Sequence, residues 1–470
     1  MTSTTTLPGA VELRPSSHFT AATGWLNDPN GLLYYNGRYH LFFQHNPHGN
    51  DWGNISWGHA TSKDLVTWTE QDVAIPCTPQ EAAFSGSAVA DVRNTAGFAT
   101  PGETALVAIF TSNYSSQSPL AGRQAQSLAY SLDEGVTWTR YAGNPVLDTG
   151  SSNFRDPKVF WFDDGDVDQG GRWIMVAVEA QDRQVVIYSS PNLRDWSLES
   201  RFGPAHASAG CWECPDLFPL TVRGSDEVRW VLVVSLNPGA IAGGSGTQYF
   251  VGDFDGTRFI PERLSDSDQL ESYDWLDFGR DYYAAVSFND APDGRRLMIG
   301  WASNWDYAHA TPTSPWRSTM SLVREVELVR CSDGRLRLTQ YPILPTEDEH
   351  DDSANPLVIR LAVSLATGEQ TAVVLSAADP TDGEVTLILD GDAGTLTSDR
   401  TRSGEVGFHP TFASVDVAPL LGEVTDAVDL LIVVDGCLLE VFVDGGLTTL
   451  TQQIFPRNPL TSVRVIEAPA

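Results

Sequence analysis

Short apolar or alternating runs, each closed by Gly, Asp, Asn or Pro, recur through the first two-thirds of the chain. Trp173-Ile174-Met175-Val176-Ala177-Val178 and Trp230-Val231-Leu232-Val233-Val234-Ser235 are typical, and their length and flanking breakers predict β-strands. Amphipathic helical stretches are scarce, so an all-β chain is expected. Two phrases repeat among the strands. One is a serine-containing turn that closes on an aromatic: Ser62 to Trp68, Ser131 to Trp138, Ser190 to Trp196 and, more weakly, Phe254 to Phe259. Its final aromatics are 70, 58 and 63 residues apart. The other is a polar cluster running into an apolar strand: Asn27-Asp28-Pro29, Phe84-Ser85-Gly86-Ser87, Arg155-Asp156-Pro157, Glu213-Cys214-Pro215 and Arg280-Asp281. From Asp28 to Asp281 there are 253 residues in four steps, a mean period of about 63.

Sixty-three residues hold about four such strands with their turns. Four-stranded sheets repeated radially make a β-propeller, and five copies close near residue 340. The expectation is therefore a five-bladed β-propeller over residues 10–342, with the five polar clusters facing one another around a central funnel. The charged run Glu347-Asp348-Glu349-His350-Asp351-Asp352-Ser353 marks a linker over 343–355. Beyond it, Leu357 to Val363, Leu430 to Val434 and Leu439 to Val443 alternate with turns such as Asp444-Gly445-Gly446, and 356–470 reads as a β-sandwich. Few reactive side chains cluster there, so a structural or sugar-contacting role is expected of it.

Composition narrows the function more than the fold. The 470 residues carry 61 Asp plus Glu against 29 Lys plus Arg, a formal charge of −32. Such a field repels nucleic acid and anionic membranes, and no apolar run is long enough to span a bilayer. A neutral sugar is indifferent to that charge, and the 14 Trp, 13 Tyr and 20 Phe suit sugar stacking as well as an ordinary core. Five scattered cysteines do not form a disulfide framework. Cys211-x-x-Cys214 lacks the second Cys/His pair of a zinc site and the βαβ surroundings of a redox pair. No metal and no cofactor are expected. The amino end, Met-Thr-Ser-Thr-Thr-Thr-Leu-Pro, has neither a basic nor an apolar leader region, which gives the expectation of a cytoplasmic protein, with a secreted one lacking its signal as the alternative.

The acids of three clusters, Asp28, Asp156 and Glu213, each stand one or two positions before a proline. The residue preceding a proline is excluded from the helical region, so an extended, stiff backbone is expected beneath them. Two carboxylates brought together across a pocket are the equipment of glycosidic bond cleavage. Any one of these motifs alone is a common turn former; their recurrence at a single period makes a site of them.

Trp25-Leu26-Asn27-Asp28-Pro29-Asn30-Gly31 resembles the signature that opens glycoside hydrolase family 32, the invertases and fructanases. Phe43-Gln44-His45-Asn46-Pro47, Trp52 to Ala60, Phe84-Ser85-Gly86-Ser87, Phe154 to Lys158 and Trp212 to Phe218 follow in that family's order. Gly300 to Trp305, Pro315-Trp316-Arg317 and the tail Glu440 to Gly446 extend the resemblance over nearly the whole chain. It implies a five-bladed propeller followed by a sandwich, and cleavage of β-fructofuranosyl linkages with retention. By the same resemblance Asp28 is the nucleophile, Glu213 the general acid/base and Asp156 the residue that binds fructose hydroxyls in the transition state. Asn27, Gln44, Trp52, Phe84, Ser85, Arg155 and Trp305 would line the fructose pocket.

Two carboxylates in those roles need environments that separate their proton affinities. The charges of Asp28 and Asp156, with cover from Trp212, are expected to favour the protonated form of Glu213, and Arg155 to keep Asp156 charged. The blade-repeating Trp68, Trp138 and Trp196 are expected to pack, and His45 and His59 to act as supporting groups. The implied substrates are sucrose and fructans of the inulin or levan type, hydrolysed from the chain end, with transfructosylation as a side activity. A dedicated fructosyltransferase and a catalytically silent carbohydrate-binding propeller are the alternatives.

Overall fold

In the computed structural model, residues 13–163, 170–345, 356–366, 368–422 and 427–467 are described. The amino-terminal stretch 1–12 and residues 346–355 of the expected linker lie outside them. Up to Pro342 the chain forms five antiparallel sheets in sequence order. Their first strands are Gly24–Tyr35, Glu81–Asp91, Phe154–Phe162, Cys211–Thr221 and Tyr283–Ser287. In each sheet the later strands add outward from the first. The first strands touch one another in order, and the fifth touches the first, so they make a closed ring. The closure is hydrogen-bonded: Asn289 exchanges backbone bonds of 2.9 Å with Leu32 and Tyr34. The short strand Trp316–Arg317, from a loop of the fifth sheet, pairs in parallel with Gly24 and Trp25.

Both repeated phrases acquire a physical meaning. The serine-aromatic turn joins the third and fourth strands of the first four sheets. In it a Ser, Asp or Asn side chain caps backbone N–H groups that the turn leaves free, as Asp64 does for Val66 and Thr67 at 2.9 and 2.7 Å and Asp255 for Thr257 and Arg258 at 2.8 Å. Trp138 and Trp196 close their turns on backbone carbonyls of Gly135 and Leu193. The polar clusters sit where the first strand loses register with the second: between Leu26 and Pro29, Phe84 and Gly86, Glu213 and Asp216, Tyr283 and Val286, and opposite Val176 to Val178 at Arg155 to Lys158. A β-bulge leaves residues unpaired and turns their side chains out of the pleat. Proline, which has no N–H to give the ladder, is at home there. The expectation of extended backbone before the prolines is corrected at two of three positions. Asp156 and Cys214 have φ of +63° and +46°, left-handed values that cost about 1–2 kcal/mol each and are held by the bulge.

The remainder forms two sheets, one of five strands and one of four, packed face to face over Val373, Leu387, Ile432 and Val441. This second unit is clamped to the ring by buried ion pairs. Arg324, held within the ring by Asp277 at 3.0 Å, meets Glu440 of the second unit at 2.8 Å, and Arg400 of that unit meets Asp281 at 2.7 Å. His18, from the segment before the first strand, lies between Asp435 at 2.7 Å and Glu440 at 3.1 Å. Burial opposes its charge, but hydrogen bonds to Asp435 and Glu440 outweigh burial and raise its pKa from 6.5 to about 9. A raised pKa means stability that is complete below about 6.5 and lost as pH rises through 9. The melting temperature is therefore expected to fall by a few degrees between pH 7 and pH 9.5, and His18→Gln to flatten that slope. An unchanged slope in the variant would assign the effect to other groups.

The fifth polar cluster departs from expectation. Arg280 and Asp281 do not face the funnel: Arg280 reaches the Thr411 carbonyl at 2.7 Å, and Asp281 takes Arg400 and Tyr307. They bind the second unit instead, and so account for the buried Arg400 of that unit.

Candidate active site

The ring brings Asp28, Asp156 and Glu213 together across 128 and 57 residues of sequence. Cys214 is the pivot. Its backbone N–H donates to Asp156 Oδ2 at 3.0 Å, and its Sγ lies 3.7 Å from that oxygen and 3.8 Å from Asp28 Oδ2. Glu213, the next residue back, accepts on Oε1 from Arg155 Nε at 3.1 Å and Nη2 at 2.9 Å, and on Oε2 from the Tyr283 hydroxyl. Thr111 Oγ1 accepts from the Asp156 N–H at 3.0 Å and so fixes the strained turn. Ser85 Oγ donates to Asp28 Oδ2 at 3.1 Å.

Asp28 and Asp156 are both electrostatically unusual. Burial, and then the charge of Glu213, push the Asp28 pKa from 3.8 to about 6, against hydrogen bonds from Asn27, its own backbone and Ser85. Its Oδ1 is buried and has no hydrogen-bond partner. A carboxylate oxygen held out of water without a donor is costly in the free protein. Asp156 is pushed up by burial, while Arg155, 3.9 Å away, pulls in the other direction. Burial and the Asp156 charge keep the Cys214 thiol protonated, and burial with the Glu213 charge does the same for the Tyr283 phenol. Cys214 is a neutral wedge between two acids.

The predicted pocket residues fall into three groups. Asn27, Ser85 and Arg155 touch the acids directly; Trp25 Nε1 donates to Asn27 Oδ1 at 2.7 Å and orients it. Trp52 and Phe84 meet edge to face at 5.9 Å, with Trp52 45% exposed at the rim. Gln44 is buried and donates to the Ala83 carbonyl at 3.1 Å. Trp305 stacks on Trp25 at 5.9 Å, one layer behind Asn27. His45 supports this layer by bonding the Trp25 carbonyl at 2.8 Å, whereas His59 pairs with His40 at 3.1 Å in the core of the first sheet.

Two electrostatic expectations need correction. Arg155 makes its hydrogen bonds with Glu213, and only a 3.9 Å contact with Asp156. Trp212 does not cover Glu213: strand alternation sends its ring into the core, where Nε1 donates to Ala207 O. Tyr283 was not anticipated. It stands three positions after Arg280, at the bulge that follows the fifth polar phrase. Because a hydrogen bond to a charged group contributes about 1.5–3 kcal/mol, Tyr283→Phe is expected to lower kcat by about 10–100-fold with KM changed only a few-fold. A loss confined to KM would make Tyr283 a substrate-binding group instead.

A sequence profile of the glycosyl hydrolases family 32 N-terminal domain matches residues 18–342, and one of the family 32 C terminal matches residues 333–468. The chain is 42% identical over 498 residues to an extracellular exo-inulinase of Aspergillus ficuum, covering 96% of this chain and 91% of the relative. It is 42% identical to a levanase of Bacillus subtilis, covering 95% of this chain and 67% of the relative. The crystal structure of exo-inulinase from Aspergillus awamori superposes with a TM-score of 0.85 at 39% identity, covering 98% of this chain and 96% of that one.

Proposed function

The chain belongs to glycosyl hydrolases family 32, and from that premise we propose that it is a β-fructofuranosidase that hydrolyses terminal fructosyl linkages of inulin, levan and sucrose. One observation carries the reading: Asp28, Asp156 and Glu213 lie in one cluster around Cys214, with the Glu213 carboxylate gripped by Arg155 and Tyr283. The ring is read as a five-bladed propeller over 10–342, followed by a linker at 343–355 and a sandwich at 356–470.

In the proposed retaining mechanism the Asp28 carboxylate attacks the anomeric carbon as Glu213 gives a proton to the leaving oxygen, so the glycosidic bond breaks and a fructosyl ester forms. Water, deprotonated by Glu213, then attacks that carbon and releases Asp28 with overall retention. Asp156, whose Oδ2 is anchored by the Cys214 N–H, would accept fructose hydroxyls and stabilise the cationic transition state. In the free site both oxygens of Glu213 are already engaged. Proton donation therefore requires the leaving oxygen to take up one of them, which couples acid catalysis to a filled pocket.

Names of the similar exo-inulinases include the word extracellular, which supports secretion over the cytoplasmic expectation. Followed by chromatography, inulin and levan should yield free fructose as the sole early product, and sucrose should yield glucose and fructose in equal amounts. A ladder of internal fragments, or no release, would overturn the reading. Free glucose in excess of fructose from sucrose would mark a transferase instead.

A further inference from the structure

The ring has a second mouth. The first strands run from the acids to the opposite end, where a cavity of about 370 Å³ opens. Asp28 and Tyr35 are seven residues apart on one strand, so the two mouths are roughly 20 Å apart. Tyr34, Tyr35, Trp161 and Trp230 form part of its wall, all only partly buried. Arg93, exposed at the rim, lays its guanidinium 4.3 Å over the Trp161 ring.

Inside this mouth the charged groups are matched in pairs, and Arg93 at the rim is one cation more. Lys158 Nζ lies 3.6 Å from Asp216 and donates to the Ser287 carbonyl at 2.5 Å. Arg296 donates to Ser287 Oγ at 3.2 Å and the Phe288 carbonyl at 3.4 Å, packs over Phe218 at 4.8 Å, and shares its field with Asp216 and Asp290. Lys158 and Arg296 are offset by Asp216, buried beneath the wall, and Asp290, and Arg93 at the rim leaves one guanidinium over, whose edge can donate to hydroxyls. Aromatic walls and planar donors match a polyhydroxylated ligand: rings cover the apolar sugar face, and the Arg93 edge meets vicinal hydroxyls.

We propose that this far mouth is a non-catalytic binding site for a neutral oligosaccharide. The choice of a fructan as the ligand rests on the function proposed above. None of its wall residues touches the three acids, and occupancy should not compete with fructose in the active site.

The probe is a short inulin-type fructo-oligosaccharide, titrated calorimetrically into the Asp28→Asn variant so that it is not consumed. Two binding events per chain are expected, only one of them competed by fructose. Combining Asp28→Asn with Arg93→Ala and Tyr35→Ala should weaken the uncompeted event at least ten-fold and spare the other. In an otherwise wild-type chain the Arg93→Ala, Tyr35→Ala pair should leave sucrose turnover within about two-fold. A single event, or a second event indifferent to both substitutions, overturns the proposal. Failure of the wild type to release fructose would instead sink the enzymatic reading, a different measurement.

Discussion

Asp28→Ala is expected to lower kcat on sucrose by about 10⁴–10⁶-fold, the range for removing a covalent nucleophile, while the protein folds normally. Alanine leaves Ser85 and Asn27 room to rehydrate and removes a buried oxygen that has no donor. The variant should therefore unfold at a temperature no lower than the wild type, since an unsatisfied buried polar atom costs about 1–3 kcal/mol. Loss of activity with undiminished stability is the signature of a group strained for function. The wild type offers a matching test. Burial and Glu213 raise Asp28 to about 6, so the attacking carboxylate is lost as pH falls through that value. With that midpoint, kcat/KM should be reduced about ten-fold at pH 5 relative to its plateau, and the limb reports the free enzyme. Activity above about one-hundredth of wild type in Asp28→Ala would remove it from the nucleophile's role.

Glu213→Ala should cost about 10²–10⁴-fold on sucrose, the range for general acid catalysis. The dependence on leaving group matters more than the size. An aryl β-fructofuranoside, whose phenolate departs without a proton, should lose far less in the first step, and added azide should restore turnover by replacing the water that Glu213 activates. Fold effects are expected as well, because Arg155 and Tyr283 each lose a partner, so the melting temperature belongs beside the kinetics. An equal loss on sucrose and the aryl substrate would show that Glu213 organises the pocket rather than moving the proton.

Much of the site was legible because it is encoded twice, once in a local phrase and once in a period. The Asp-Pro and Cys-Pro steps mark bulges, and bulges at equivalent places in a closed ring must meet, which placed Asp28, Ser85, Asp156 and Glu213 together before any contact was known. The fifth phrase misled because Arg280-Asp281 has the composition of a site and the position of a clamp: its partners Arg400 and Thr411 come from more than a hundred residues downstream. Tyr283, apolar in a strand reading, became a site residue only through the bulge that follows it. Arg155 illustrates the same limit. Its neighbour in sequence is Asp156, yet the +63° φ at Asp156 turns that carboxylate toward the Cys214 N–H and leaves the guanidinium for Glu213.

The sequence by itself determined the all-β character, the period of about 63 residues and the three acids that the proposed mechanism uses, since each is a matter of residue type at fixed spacing along a strand. Tertiary structure alone decided which acid is paired, which is buried and which is left without a donor. Those properties depend on distances between strands and on exclusion of water. Both arise only when Tyr283–Ser287 closes against Gly24–Tyr35 and the ring brings distant segments within hydrogen-bonding reach.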